Sequence, residues 1–167
     1  FLEDDYIFLT EVRRGLIGSI EHAIRSVGTY FRPLSRELYF WSLFRTFGFE
    51  PLAFHLVNFG VLLSTIAMVA WLGVRLAGLR AGLLAAAVYT LFYPHRVLLG
   101  SISCSQDLIA TVLACAAMFA QASGRRWIAA ALLLGGLLAK ESVVPLPLVF
   151  ALWEWHRAER SGTARGV

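Results

Sequence analysis

The sequence predicts an all-α fold: a polytopic bundle of transmembrane helices with an extracytoplasmic loop that carries interfacial helices. Three observations predict it. Of 167 residues, 58% are apolar and only 16% charged, with mean hydropathy +0.67, against about 45–50% and about 25% in soluble domains. Long uncharged runs follow residue 50. The arginines between and after those runs also alternate with a period that puts them on one side of a membrane. This composition excludes an ordinary soluble enzyme, a disordered tail and a disulfide scaffold. The net charge of +4 is dispersed along the chain, so no nucleic-acid partner is expected.

Residues 1–50 hold six arginines and seven acids and no run long enough to span. Within them Ile17, Ile20, Ile24 and Val27 recur at helical spacing. A second helix is expected from Arg36 to Phe47 with Ser35 as N-cap, its Phe40, Trp41, Leu43, Phe44 and Phe47 forming an aromatic face suited to the membrane interface. From Leu52 to Val74, 23 residues carry no formal charge. At about 1.5 Å per residue they reach roughly 34 Å, enough for a hydrocarbon core of about 30 Å. Further spans are expected over about 77–94, with Arg80 snorkelling near its start, and over about 108–122.

The stretch from Trp127 to Trp155 has Lys140-Glu141 at its middle, followed by Pro145 and Pro147. A hairpin with arms 127–139 and 142–155 returns the chain to the side it left. Arg75, Arg80, Arg125, Arg126, Arg157, Arg160 and Arg165 then share one side, as the positive-inside rule requires. Residues 157–167 become a cytoplasmic tail, and residues 1–50, the loop around Tyr93–Asp107 and the Lys140 turn lie outside the cytoplasm. The chain opens on Phe1 and an acidic cluster that no upstream segment anchors, which reads as one partial domain.

Several polar groups can carry chemistry. In Glu3-Asp4-Asp5, adjacent carboxylates can act as a base, bind a metal or form a solvated acidic turn. Pro33 biases Arg32 toward an extended backbone, leaving its fork free for a phosphate or simply exposed. His55 and Asn58 share a helix face at the outer end of the first span, as a site or as a link between helices. Arg96 can pair with Asp107, whose carboxylate also suits a helix N-terminus, or anchor at the interface. Lys140 and Glu141 lie where a charge needs a partner or water; they pair with each other or bind a phosphate within the membrane. Cys104 and Cys115 are too far apart in the topology to form a disulfide, and neither lies beside a base.

In order, the chain shows Phe1-x-x-Asp4-Asp5, Arg32-Pro-Leu-Ser35, Phe54-His-Leu-Val-Asn58, Tyr93-Pro-His95, Ser105-x-Asp107-Leu108 and Ala139-Lys-Glu-Ser142 before a proline-containing helix. This series resembles the GT-C superfamily of polytopic glycosyltransferases, in particular its protein O-mannosyltransferase-like members that carry tetratricopeptide repeats after the membrane part. Where that family more often has His-Pro followed by a second His and Glu, this chain reads Tyr93-Pro94-His95-Arg96.

The resemblance implies an inverting transfer of a mannose-like hexose from a polyprenyl-phosphate donor to a protein, glycan or lipid hydroxyl. The expected location is the bacterial inner membrane, with the site on its extracytoplasmic side. Asp4 is then the base with Asp5 beside it, and Lys140, with Arg32 or Arg96, holds the phosphate. A divalent metal on Asp4, Asp5 and Asp107 stays open, since relatives differ. The residues taken alone also allow another class: a transporter or flippase for a lipid-linked or anionic solute, with Lys140-Glu141 as its intramembrane site.

Overall fold

The computed structural model describes the backbone of residues 3–25, 31–92 and 100–163, and the side chains of 5–25, 31–92 and 100–157. Among these residues every regular element is helical. Glu3–Val12 forms α1, with three acids in its first turn, where the helix dipole favours negative charge. The chain then turns through Gly15 at φ +82°, a left-handed backbone that suits glycine, into α2, Leu16–Arg25. The expected apolar spacing does form this helix, but Ser19 and Ala23 are its buried residues, while Ile17 and Ile24 point outward. Small side chains let α2 lie close to its neighbours. Val27 lies outside the described residues.

The next helix departs from the sequence reading. It begins at Pro33, not Arg36, as a π-helical turn over Pro33–Leu38 that runs directly into α3, Tyr39–Phe47. Proline is pre-organised for the first helical position, which explains the earlier start. Ser35 is therefore inside the helix and caps nothing. The aromatic face also has a different role from the interfacial one expected. Phe40 and Leu43 are buried with Leu9, Val12, Phe54 and Ile102 in a core that Phe8, Tyr39, Trp41 and Phe44 flank. Of that face, Phe47 is the exposed member. Ring pairs Phe8–Phe40 and Tyr39–Phe40 meet edge to face at 5.2 and 5.5 Å, the geometry that aromatic quadrupoles favour.

Pro51–Ala77 forms α4, 27 residues or roughly 40 Å long. Its buried stripe is Phe54, Asn58, Leu62 and Thr65. Gly78 turns the chain into α5, Leu79–Thr90. With 12 residues, α5 is shorter than the span expected over 77–94 and by itself reaches roughly 18 Å; residues 93–99 lie outside the described ones. The two helices touch through glycine. A Cβ on Gly82 would sit 2.4 Å from the Val74 side chain and 2.6 Å from the Ala70 carbonyl.

A 3₁₀ turn, Ile102–Cys104, leads into α6, Ser105–Ala122. At its end the Arg125 amide donates to the Ala120 carbonyl and the Gly124 amide to that of Gln121, a Schellman arrangement built on Gly124 at φ +76°. Helix α7, Arg126–Ala139, then packs along α6, with Ala110 of α6 and Ala139 of α7 buried in one cluster with Val143, and Gly136 lying against the Val143 side chain. After a 3₁₀ turn at Glu141–Val143, α8 occupies Leu146–Thr163. It runs back toward the start of α7, because Glu154 accepts from Gln121 at 2.7 Å and from Arg126 at 2.8 Å. The backbone stays helical past residue 157, where a tail was expected.

Pro51–Ala77 and Ile102–Ala122 are long and apolar enough to cross a membrane; Leu79–Thr90 and Arg126–Ala139 are shorter apolar helices. Two contacts show that α4 and α6 run side by side in the same direction. Asn58 near the start of α4 reaches the Ile102 carbonyl, and Trp71 near its end stacks on Phe119 at 3.7 Å. The starts of α4 and α6 and the Lys140 turn thus share one end of the bundle, with Arg75, Arg80, Arg125 and Arg126 at the other.

Candidate functional site

The shared end brings three distant segments together. Arg32 precedes the helix at φ −131° and ψ 63°, neither helical nor the extended backbone expected, and its guanidinium reaches across to the turn after α7. There Arg32 Nε donates to Glu141 Oε2 at 2.9 Å, Nη2 donates to Oε1, and Nη1 donates to Gln106 Oε1 at 2.5 Å. This is the forked pairing in which arginine is strongest. Hydrogen bonds from Arg32 hold the Glu141 carboxyl below its ordinary value, with further help from its own backbone amide.

Lys140 Nζ donates to Asp107 Oδ1 at 2.6 Å. One expected pairing is thereby replaced: Lys140 meets Asp107 and not its neighbour Glu141; the pairing expected of Asp107 with Arg96 lies outside the described residues. The reason is local. Lys140 is extended at φ −162° and ψ 143°, and neighbouring side chains on extended backbone point to opposite sides. The Ser35 hydroxyl donates to the Ala139 carbonyl, next to Lys140, and so ties the Arg32 segment to the turn. Arg32 is 15% and Lys140 23% exposed, whereas Asp107 and Glu141 are 41% and 56% exposed. The cations are thus held inside and their acids face out.

The other expected site residues separate by role. Asp5 is fully buried and accepts from the Ser103 amide at 2.6 Å and the Ile102 amide at 3.4 Å, pinning α1 to the turn before α6. Asn58 is also fully buried; its carbonyl accepts from the Tyr39 hydroxyl and its amide donates to Ile102 O at 3.5 Å. It links helices, and burial pushes the Tyr39 phenol well above its ordinary range. His55 is half-buried on the same helix. The Asp4 side chain and all of Arg96 lie outside the described residues. Gln106 was missed by the sequence reading, standing at the variable position of Ser-x-Asp-Leu; Ser35 was read only as a cap.

Of the metal candidates, the described pair Asp5 and Asp107 are committed to different partners. Asp5 spends its oxygens on backbone amides and Asp107 holds Lys140, and among the described residues no three His, Cys, Asp or Glu side chains are grouped to hold an ion. What the arrangement offers is two cations at the end of long apolar helices, each held by a partly solvated carboxylate that an incoming anion can displace. No family model, curated protein or solved structure matches the chain.

Proposed function

We propose that this chain is part of a membrane glycosyltransferase of the GT-C type, moving a mannose-like hexose from a polyprenyl-phosphate carrier to a hydroxyl acceptor. The observation that carries the reading is the assembly of Arg32, Gln106, Asp107, Lys140 and Glu141 from three segments at one end of the bundle. A lipid phosphate needs cationic donors at such a depth, and Arg32 with Lys140 supplies them once Glu141 and Asp107 turn to water. An open apolar groove of about 580 Å³ along α5 and the edge of α4, lined by residues including Val69, Leu84, Val88 and Phe92, has the character that a polyprenyl chain requires. Tyr89 on its wall lies against Thr111, one turn from Asp107.

In this reading the acceptor hydroxyl attacks the anomeric carbon from the face opposite the phosphate. The new C–O bond forms as the bond to phosphate breaks, the configuration inverts, and polyprenyl phosphate departs against Arg32 and Lys140. Asp4 takes the hydroxyl proton. The bundle sits in a bacterial inner membrane as a multi-pass protein, with residues 1–50 and the Lys140 turn on the extracytoplasmic side. A cysteine placed at Arg125 should therefore resist labelling from outside, while Cys104 should react.

The deciding experiment is sugar transfer from polyprenyl-phosphate donors by wild type and Asp4→Asn. Loss of turnover of about 10²-fold or more in a folded variant is the result expected for removal of a general base. Full turnover leaves Asp4 without a catalytic role. The paired charges of Lys140 and Asp107 are also what a transporter of anionic lipids would use. Transport that tolerates Asp4→Asn but is lost in Lys140→Met would replace the transferase reading.

A further inference from the structure

The end of the bundle opposite the Arg32–Lys140 network carries cations that the fold leaves without counter-charges. Trp71 of α4 stacks on Phe119 of α6 at 3.7 Å, so the α4–α5 corner and the α6–α7 corner lie at the same level. Arg75 and Arg80 flank the first corner, and Arg125 and Arg126 follow the second. Arg126 pairs with Glu154 and is still 71% exposed. Arg75, Arg80 and Arg125 are exposed too, and among the described residues their guanidinium groups have no hydrogen bond or ion pair. Glu154 is the one acid at this end among the described residues, and Gln121 and Arg126 already share it.

Two helices long and apolar enough to cross a membrane, Pro51–Ala77 and Ile102–Ala122, both stop here. The arginines therefore stand at the rim of an apolar slab. Beside them Trp127 is 90% exposed and Trp155 67%, and Leu79 is exposed as well. An indole ring left bare is out of place in water but fits a membrane interface, where its apolar face meets acyl chains and its N–H meets headgroups. Arginine keeps its charge at any working pH, and its planar fork matches two phosphate oxygens. A leaflet of anionic lipid offers phosphate and an apolar medium at adjoining depths, which matches arginine laid beside tryptophan and leucine at both corners. An acidic soluble protein offers the charge without the apolar layer.

We propose that this end of the bundle is a binding surface for anionic phospholipid headgroups, with Arg75, Arg80 and Arg125 holding the phosphates and Trp127 anchoring in the interface. This surface rests on the membrane placement of α4 and α6, and not on glycosyl transfer. It differs from the sidedness that positive charge imposes during insertion. The cations are still unpaired in the folded protein, so they keep anionic lipid beside the bundle at equilibrium. Near a membrane surface each such arginine strengthens association with anionic lipid by about fivefold, an attraction that salt weakens.

The test places the full chain in phosphatidylcholine vesicles with a minority of lipid whose brominated acyl chains quench tryptophan on contact. Quenching by brominated phosphatidylcholine reports the membrane placement alone; without it that placement fails, and this surface with it. Brominated phosphatidylglycerol at the same fraction should quench more strongly, and the excess should shrink as salt rises. Arg75→Gln, Arg80→Gln and Arg125→Gln should each lower the preference for phosphatidylglycerol by about fivefold, and Trp127→Phe should remove much of the excess signal. Arg45→Gln, the same charge change at an exposed position on α3, should keep the wild-type preference. The salt series on wild type decides the matter if a variant does not fold. Equal quenching by the two lipids, an excess indifferent to salt, or a loss as large in Arg45→Gln as in Arg125→Gln would overturn the proposal.

Discussion

Lys140 and Asp107 are 33 residues apart in sequence and joined at 2.6 Å, while Lys140 and its neighbour Glu141 face different partners. The turn after α7 therefore serves as a crosspiece: one of its charges ties it to α6 and the other to the segment before the π-helical turn. A neutral double variant has to be built on that pairing.

Lys140→Met should leave Asp107 without its partner and Asp107→Asn should leave Lys140 without one. Removing both should cost less than the sum, with a coupling of about 0.5–3 kcal/mol. Chemical or thermal unfolding of the four proteins in one detergent measures it. Under the transferase reading the double variant stays folded yet binds polyprenyl-phosphate donor poorly. Unchanged donor affinity there would leave Lys140 as a purely structural residue.

The Arg32–Glu141 pair sets an acid limit. Arg32 holds the Glu141 carboxyl below its ordinary value near 4.5, so between the two values the folded state binds fewer protons than the unfolded chain. Its contribution is present above the ordinary value and is lost as pH falls through the folded one. Arg32→Gln should remove this limb from the profile of melting temperature against pH and leave the neutral region's slope unchanged.

Asp5 and Asp4 should separate cleanly. Asp5→Ala removes the acceptor for two buried backbone amides and should cost about 1–3 kcal/mol of stability, because the donors left behind have no water. Asp5→Asn keeps one acceptor oxygen and should cost less. Asp4→Asn, by contrast, should lower turnover with little change in melting temperature. Equal stability losses at the two positions would place both in the same structural role.

Gly82→Ala should destabilise the α4–α5 contact. The added methyl would fall 2.6 Å from a backbone oxygen that cannot move aside cheaply, and overpacking of this kind costs about 1–3 kcal/mol. Gly60→Ala is the matched control on α4, since nothing lies within 4 Å of its added Cβ. Equal melting temperatures for the two variants would contradict the close approach of these helices.

What the sequence determined by itself was whatever depends on near neighbours. The uncharged run from Leu52 to Val74 specified α4, the start of α6 lay close to Asp107, and Lys140-Glu141 with the prolines after it marked a break between α7 and α8. Hydrophobic period and proline placement act within a turn or two, so they can be read from a linear string. The tertiary structure decided the partners. Glu141 took Arg32 from 109 positions away, Asp5 turned inward to the Ser103 amide, and Ser35 left the helix cap for the Ala139 carbonyl. It also decided which face of an amphipathic helix is buried. On α2 the small Ser19 and Ala23 won over the isoleucines, because close approach of helices depends on side-chain size as well as on hydrophobicity. Charge pairing and close packing are set by distance in space, and a contact between residues a hundred positions apart leaves no periodic trace in either segment.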